Sequence, residues 1–480
     1  MPFRKSIAAL SAFALLASCG GGGGSGGGTT PSPSPTPTPT GTATPTSCVL
    51  RDRQDWALAQ LREWYLFPDL LDTTVNPAAY PDVNSYIDAV VAPARAQSRD
   101  RYFTYVTSIA EENAFFNSGT SAGFGVRLSY DSGARRLFVM EAYEGAPALV
   151  AGIDRGAEIL AIGTTSSTLQ TVDALFLAGG AGAVGNALGP SDAGVSRTLR
   201  IRDSGGERLV TVTKQSYAIT PVSSRYGVKV IDDGGRRVGY INLRTFIDTA
   251  EPALRTAFDN LRAQGITEVI LDLRYNGGGL VSVAETMGDL LNASRAGQTW
   301  SYTTFRPEKA AENESYALRP RTEAVAVTRV AFIATGASAS ASELVINGQT
   351  PFLAAASGLI GSNTYGKPVG QIGLDRAACD DRLRVVAFRT ENASRVGDYY
   401  TGLASKVAAS CQAADDITRP FGDPAEASVR AALDFLAGRT CTPIGGPAIA
   451  ARTLAAPAAE RTLLQSTRPS ASQSELQGLF

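Results

Sequence analysis

Val330-Ala-Phe-Ile-Ala-Thr-Gly336, followed by Ala337-Ser338-Ala339-Ser340-Ala341-Ser342 and then Glu343-Leu344-Val345-Ile346, decides how this chain folds. The first seven residues form an apolar, β-branched run, the pattern of a buried strand. The small residues that follow allow a tight turn, and Glu343 onward can start a helix. A hydroxyl at the mouth of such a helix lies near N–H groups that favour negative charge. Downstream stands Gly361-Ser-Asn-Thr-Tyr-Gly366-Lys367, a lysine in a glycine-bounded turn.

Composition sharpens the reading. The 480 residues include no histidine. A serine needs a base to take its proton, and without imidazole a Ser-His-Asp triad and a histidine-ligated zinc are both excluded. Lysine is the remaining base. There are six lysines: Lys5, Lys214, Lys229, Lys309, Lys367 and Lys406. Only Lys367 follows a glycine in a motif-like turn, and burial would lower its pKa toward the working range. Gly361 to Lys367 also spells the start of a phosphate-binding loop. However, Pro368 stands where a Ser or Thr would hold Mg²⁺, and it removes a backbone N–H, which argues against nucleotide. Gly180-Ala-Gly182-Ala-Val-Gly185 matches a dinucleotide fingerprint in spacing only. It follows a helix-like segment rather than a strand, so it is expected to be a glycine-rich loop without a cofactor. A formal charge of −1 gives no footprint for nucleic acid. No metal or cofactor is expected.

Working outward, residues 1–19 have the form of an export signal. Arg4 and Lys5 precede the apolar run Ile7 to Ala17, which is too short to span a bilayer. Leu16-Ala17-Ser18-Cys19 resembles a bacterial lipoprotein lipobox, which implies acylation of Cys19; an ordinary secretory signal is the alternative. Residues 20–47 are Gly-rich and then Pro/Thr-rich, the composition of a spacer. Cys48, Cys379, Cys411 and Cys441 are an even set in an exported chain and suggest two disulfides. Of three possible pairings, Cys379–Cys411 and Cys48–Cys441 are the favoured expectation. Residues 48–117 have helical spacing around Leu58, Leu61 and Tyr65. Residues 118–217 turn to strands around Gly123-Phe124-Gly125-Val126, and Glu144 to Gly163 reads as a short helix, a glycine turn and a strand. This run resembles a PDZ domain, a module that binds peptides by strand addition, and the resemblance places Phe124 and Gly125 in its peptide-binding loop. Residues 218–442 alternate strand and helix, predicting a largely parallel α/β core. Residues 443–480 are Ala/Pro/Ser-rich and are expected to be disordered.

The segments GYINLRTF (239–246), LDLRYNGGG (271–279), SASASELV (338–345) and TYGKPVGQ (364–371) together resemble the carboxy-terminal processing peptidases, or tail-specific proteases. The resemblance implies an α/β fold, with a crotonase-like catalytic core, an inserted PDZ-like β domain and an N-terminal helical segment. It implies a serine peptidase with Ser340 as nucleophile, Lys367 as base and Gln371 assisting, rather than Ser338 or Ser342. Gly278 and Ala341 would supply the oxyanion N–H donors. Expected partners are protein or peptide substrates, such as C-terminal tails and unfolded segments, and the membrane through the N-terminal lipid. The expected location is the bacterial cell envelope, facing the periplasm. The alternative is an inactive, lipid-anchored peptide-binding scaffold.

Overall fold

The computed structural model describes residues 47–445, 461–467 and 469–480. The export signal with Cys19, nearly all of the 20–47 spacer and residues 446–460 lie outside the described residues.

The centre is a six-stranded sheet. In spatial order its strands are Val228–Asp233, Arg236–Asn242, Glu268–Asp272, Arg329–Ala334, Ser357–Gly361 and Ala409–Gln412. The first pair is antiparallel and every later pair parallel. Parallel strands need crossovers that cover the sheet, which is why these strands read as near-continuous apolar runs. Helices Ala250–Ala263, Val281–Leu291 and Ala341–Leu353 bury their apolar faces in one cluster, with Leu254, Phe258, Met287 and Val345. Helix Ala427–Leu436 covers the opposite face through Val429 and Leu433. The expected strand and helix of the opening stretch are therefore present, and the helix starts directly after Ser340.

A second sheet holds Tyr105–Ser108, Val369–Arg376, Asp381–Asn392, Thr299–Phe305 and Glu314–Ala317. The helices Leu50–Trp64, Val83–Val90 and Ala92–Ala96 share a buried cluster with it, in which Leu61, Tyr65 and Ile87 meet Val369, Leu383 and Val385. A third sheet is strand-rich as expected, in the order Thr462–Leu463, Val126–Asp131, Arg136–Ala142, Glu158–Gly163, Ser196–Asp203, Gly206–Thr213. Helix Val172–Leu188 packs on it through Val184 and Leu188.

Three expectations are corrected. The disulfides are Cys48–Cys379 and Cys411–Cys441, not Cys379–Cys411 and Cys48–Cys441. Cys379 lies in the turn between two paired strands, and this turn end meets the first helix, where Arg53 binds Asp381 (2.6 Å) and Arg376 binds Asp52 O (2.7 Å). Cys411 lies on the last strand of the central sheet, beside the returning chain, where Gln412 N–H donates to Thr442 O (2.7 Å). The glycine run, expected to be a loop, is helical at Gly182 and Gly185, where Ala-rich neighbours sustain the helix, while Gly179 and Gly180 have non-helical angles and kink the chain between two helical stretches. Residues 461–467 and 469–480, expected to be disordered, form a strand and a helix and bury Leu464, Leu476, Leu479 and Phe480.

Candidate active site

The serine turn sits where the strand Arg329–Ala334 ends and the helix Ala341–Leu353 begins. Ser340 has φ +54°, an uncommon conformation for a non-glycine residue, which marks a backbone held by its surroundings. The three serines differ sharply. Ser338 and Ser342 are fully buried, and their hydroxyls donate to Leu273 O (2.7 Å) and Asn276 O (2.9 Å). Ser340 is half-buried at the helix mouth. Of the three it is therefore the hydroxyl placed to meet a substrate.

Glu343, which sequence reasoning treated only as the helix start, organises the site. It is fully buried. Its Oε2 accepts the N–H groups of both Ser340 (3.0 Å) and Lys367 (2.7 Å), and its Oε1 accepts Gly366 N–H (2.7 Å). A single carboxylate oxygen thus ties the backbones of the two residues assigned to chemistry. Burial raises the Glu343 pKa, opposed first by a hydrogen bond from the Thr364 side chain and then by these backbone N–H groups. The two loops are joined again by Tyr365 N–H donating to Ser338 O (3.0 Å).

Lys367 precedes the strand Val369–Arg376, which carries Gln371. Its Nζ donates to Gln371 Oε1 (2.7 Å) and lies 4.7 Å from the centre of the Phe103 ring. Gln371 Nε2 in turn donates to Phe103 O. The residue keeps some exposed surface, but the amine itself lies among protein atoms. Burial lowers its pKa, against the opposing pull of Glu475 and Asp100. Among the described residues Lys367 Nζ makes no hydrogen bond to a serine hydroxyl. The pair expected from sequence is tied together at the backbone through Glu343, but the two side chains are not hydrogen-bonded to each other.

The turn after Glu268–Asp272 completes the site. Asn276 binds the serine turn through its backbone oxygen, which accepts Ala339 N–H (3.1 Å), and anchors itself through Nδ2 to Leu243 O (2.9 Å). A Cβ on Gly278, at φ +114°, would lie 2.8 Å from Ser340 Cβ and 3.0 Å from Ala341 N. Only glycine permits that approach. The Gly278 N–H, expected to face an oxyanion, donates here to Asn276 Oδ1 (2.9 Å); the short side chain captures a donor two residues on, as Asn does in turns. Ala341 N–H is at the helix start, where N–H groups have no intrahelical acceptor.

Phe124 and Gly125 lie at the entrance to the strand Val126–Asp131. Gly125 N–H donates to Phe480 O (2.8 Å), so the backbone here pairs with a segment of the same chain. The next residue but one, Arg127, is buried and donates to Tyr143 Oη (2.8 Å) and to Tyr275 O, immediately before Asn276.

Residues 237–393 match the profile of peptidase family S41, and this span contains the serine turn, Lys367, Gln371 and the glycine turn. The chain carries a peptidase family S41 domain. Carboxyl-terminal-processing peptidase 2 of Arabidopsis thaliana chloroplasts is 34% identical over 168 residues, which is 34% of this chain and 30% of that protein. The carboxyl-terminal-processing protease of Picosynechococcus sp. is 30% identical over 256 residues, 52% of this chain and 55% of that one. The chain thus spans about half or less of the length of these curated relatives. A crystal structure assigned to the S41 proteases, from Bacteroides fragilis, shares the fold, with a TM-score of 0.61 at 22% identity over 80% of this chain and 97% of that chain. The S41 domain is thus where the strand, the two loops and the glycine turn converge.

Proposed function

We propose that this protein is a serine endopeptidase that hydrolyses peptide bonds in exported proteins. Ser340 Oγ attacks the carbonyl carbon while Lys367, in its neutral form, accepts the hydroxyl proton. The tetrahedral oxyanion is held by Ala341 N–H and by Gly278 N–H once Asn276 releases it. Collapse breaks the C–N bond, and Lys367 returns the proton to the leaving amine. Water then hydrolyses the ester by the same base, and Gln371 keeps the amine oriented.

The observation that carries this reading is the shared Glu343 oxygen. It holds the serine and lysine backbones together, beside an amine that burial shifts toward its neutral form. Catalytic hydrogen bonds are often long without substrate, so the missing Lys367–Ser340 bond fits a resting site. The strand-rich segment 118–217 serves as a PDZ-like recognition module, supported by strand addition at Gly125. Two disulfides support an oxidising compartment, and the signal-like residues 1–19 support export with acylation at Cys19. Ser340→Ala should abolish both casein hydrolysis and labelling by a fluorophosphonate, and Lys367→Ala should do the same. Cleavage unchanged in Ser340→Ala would refute the assignment and leave a tethered peptide-binding scaffold.

A further inference from the structure

Residues 461–467 and 469–480 take no part in the chemistry above, yet they occupy two places that matter to it. Thr462 and Leu463 pair with Tyr130 and Ser129 on the edge of the strand Val126–Asp131, and Leu464 N–H donates to Leu128 O (2.9 Å). The same edge is then filled by the end of the segment. Gly478 O accepts Leu128 N–H (2.8 Å), Phe480 N–H donates to Val126 O (2.9 Å), and Phe480 O accepts from Gly125 (2.8 Å) and Val126 (3.2 Å). On the opposite side Thr467 Oγ1 bonds to Asn186 Oδ1 (3.1 Å), so the segment lies between that strand and the helix Val172–Leu188.

Between these two edge contacts, residues 471–475 lie away from the groove, at the catalytic mouth. The helix Ala471–Glu475 sits there, with Ser472 Oγ 2.9 Å from Ser121 Oγ and Tyr105 Oη donating to Glu475 Oε1 (3.0 Å). A Cβ on Gly277 would lie 2.6 Å from Glu475 O, so this backbone lies directly on the glycine turn beside Ser340. The contacts are apolar as well as polar: Leu476, Leu479 and Phe480 are all buried. Gly478 has φ +82°, and a Cβ there would stand 3.0 Å from Leu128 O.

We infer that residues 462–467 and 469–480 are a built-in ligand of the peptide groove that also covers the catalytic mouth, and that external peptides of the type Gly-Leu-Phe, with glycine at the tight position and bulky apolar residues after it, open the site by displacing it. The second half of this inference rests on the peptidase reading; the first half does not. Glu475 adds an electrostatic element: its carboxylate favours the charged form of Lys367, the form that cannot accept a proton. Occupancy of the groove in cis is strong because tethering holds the segment at a high effective concentration.

The test uses a fluorescein-labelled peptide of residues 473–480 and three forms of the full chain: wild type, Phe480→Asp, and Ser121→Cys/Ser472→Cys, which cross-links the segment in place under oxidising conditions. Phe480→Asp should bind the labelled peptide at least ~tenfold more tightly than wild type, because the tethered competitor is weakened. The cross-linked chain should not bind it, and it removes no core side chain, so it decides the matter if Phe480→Asp fails to fold. Casein hydrolysis should rise ~tenfold in Phe480→Asp and fall in the cross-linked chain, in step with binding. Equal peptide binding by wild type and a folded Phe480→Asp, or binding by the cross-linked chain, overturns the inference. Binding that rises as expected in a chain that never hydrolyses casein and takes no fluorophosphonate refutes the peptidase reading but leaves the groove ligand standing.

Discussion

Glu343→Gln is the substitution that tests the site most directly. The amide keeps the size of the carboxyl group but has one acceptor oxygen instead of two. In its best orientation that oxygen keeps the bonds from Ser340 and Lys367, and the NH₂ then faces the Gly366 N–H. One buried donor is left without an acceptor, a cost of ~1–3 kcal/mol. The two surviving bonds weaken from charge-assisted to neutral, by roughly 1 kcal/mol each. Against this, a carboxylate whose pKa burial has raised no longer has to be kept charged away from water, and that recovers part of the loss. The net expectation is ~1–3 kcal/mol of stability, a fall in Tm of about 1–3 °C for a chain of this size. The larger effect is on rate. If the loops bearing Ser340 and Lys367 separate by as little as ~1 Å, hydrolysis falls by about 10²-fold. Calorimetry and the steady-state rate on casein, measured on one preparation, read both. Full activity with a lowered Tm would reduce Glu343 to a structural residue. Full activity with an unchanged Tm would refute the argument that the shared oxygen positions the pair.

Two further expectations concern the same residues. Gly278→Ala puts a methyl 2.8 Å from Ser340 Cβ at a backbone angle that alanine rarely adopts; hydrolysis should fall by at least ~10²-fold while the circular dichroism spectrum of the chain is kept, and a rate within twofold of wild type would show that the close approach is not needed. Lys367 has its pKa lowered by burial, so the rate should climb with pH through a value below that of an ordinary lysine. The linkage has a definite sign: between the folded and unfolded pKa values the unfolded chain binds the extra proton, so the stabilisation from Lys367 is present at high pH and lost as pH falls through the folded value. Lys367→Met should flatten that part of the stability profile, and an unchanged slope would argue that the amine stays charged.

The strand, turn and helix around Ser340 were legible because a β-branched run, small residues and an apolar helix face are local signals. Ser340, Lys367 and Gln371 could be named as candidates because a histidine-free chain leaves few bases and the surrounding motifs are specific; of their expected contacts the structure has the bond from Lys367 Nζ to Gln371 Oε1. Glu343 was not, since an acidic residue three positions into a helix reads as a capping residue. It does accept the Ser340 N–H, but its second task is to reach Gly366 and Lys367 across a loop, which no local pattern announces. Asn276 was passed over as part of a glycine turn, yet its backbone oxygen holds both Ala339 and Ser342. The C-terminal segment was misread for the opposite reason. Its Ala, Pro and Ser content suggests no core, but Leu476, Leu479 and Phe480 need only a groove supplied by other parts of the chain. The disulfide pairing failed likewise, because Cys48 and Cys379 meet through a helix-on-sheet contact between residues far apart in sequence.

That contact leads to a last point about the base. The environment that lowers the Lys367 pKa is not built by the S41 span alone. Phe103 supplies both the ring beneath the amine and the carbonyl that orients Gln371, and Arg101 binds the carbonyls of Tyr365 (2.6 Å) and Gly366 (2.7 Å). Both residues precede the matched span, and Phe103 belongs to the core that the N-terminal helices share with the strand carrying Gln371. Cys48–Cys379 fastens the start of those helices to the end of the same pair of strands. The base proposed above must be kept dry, and the ring against its amine, Phe103, comes from the loop that follows the N-terminal helices rather than from the central sheet.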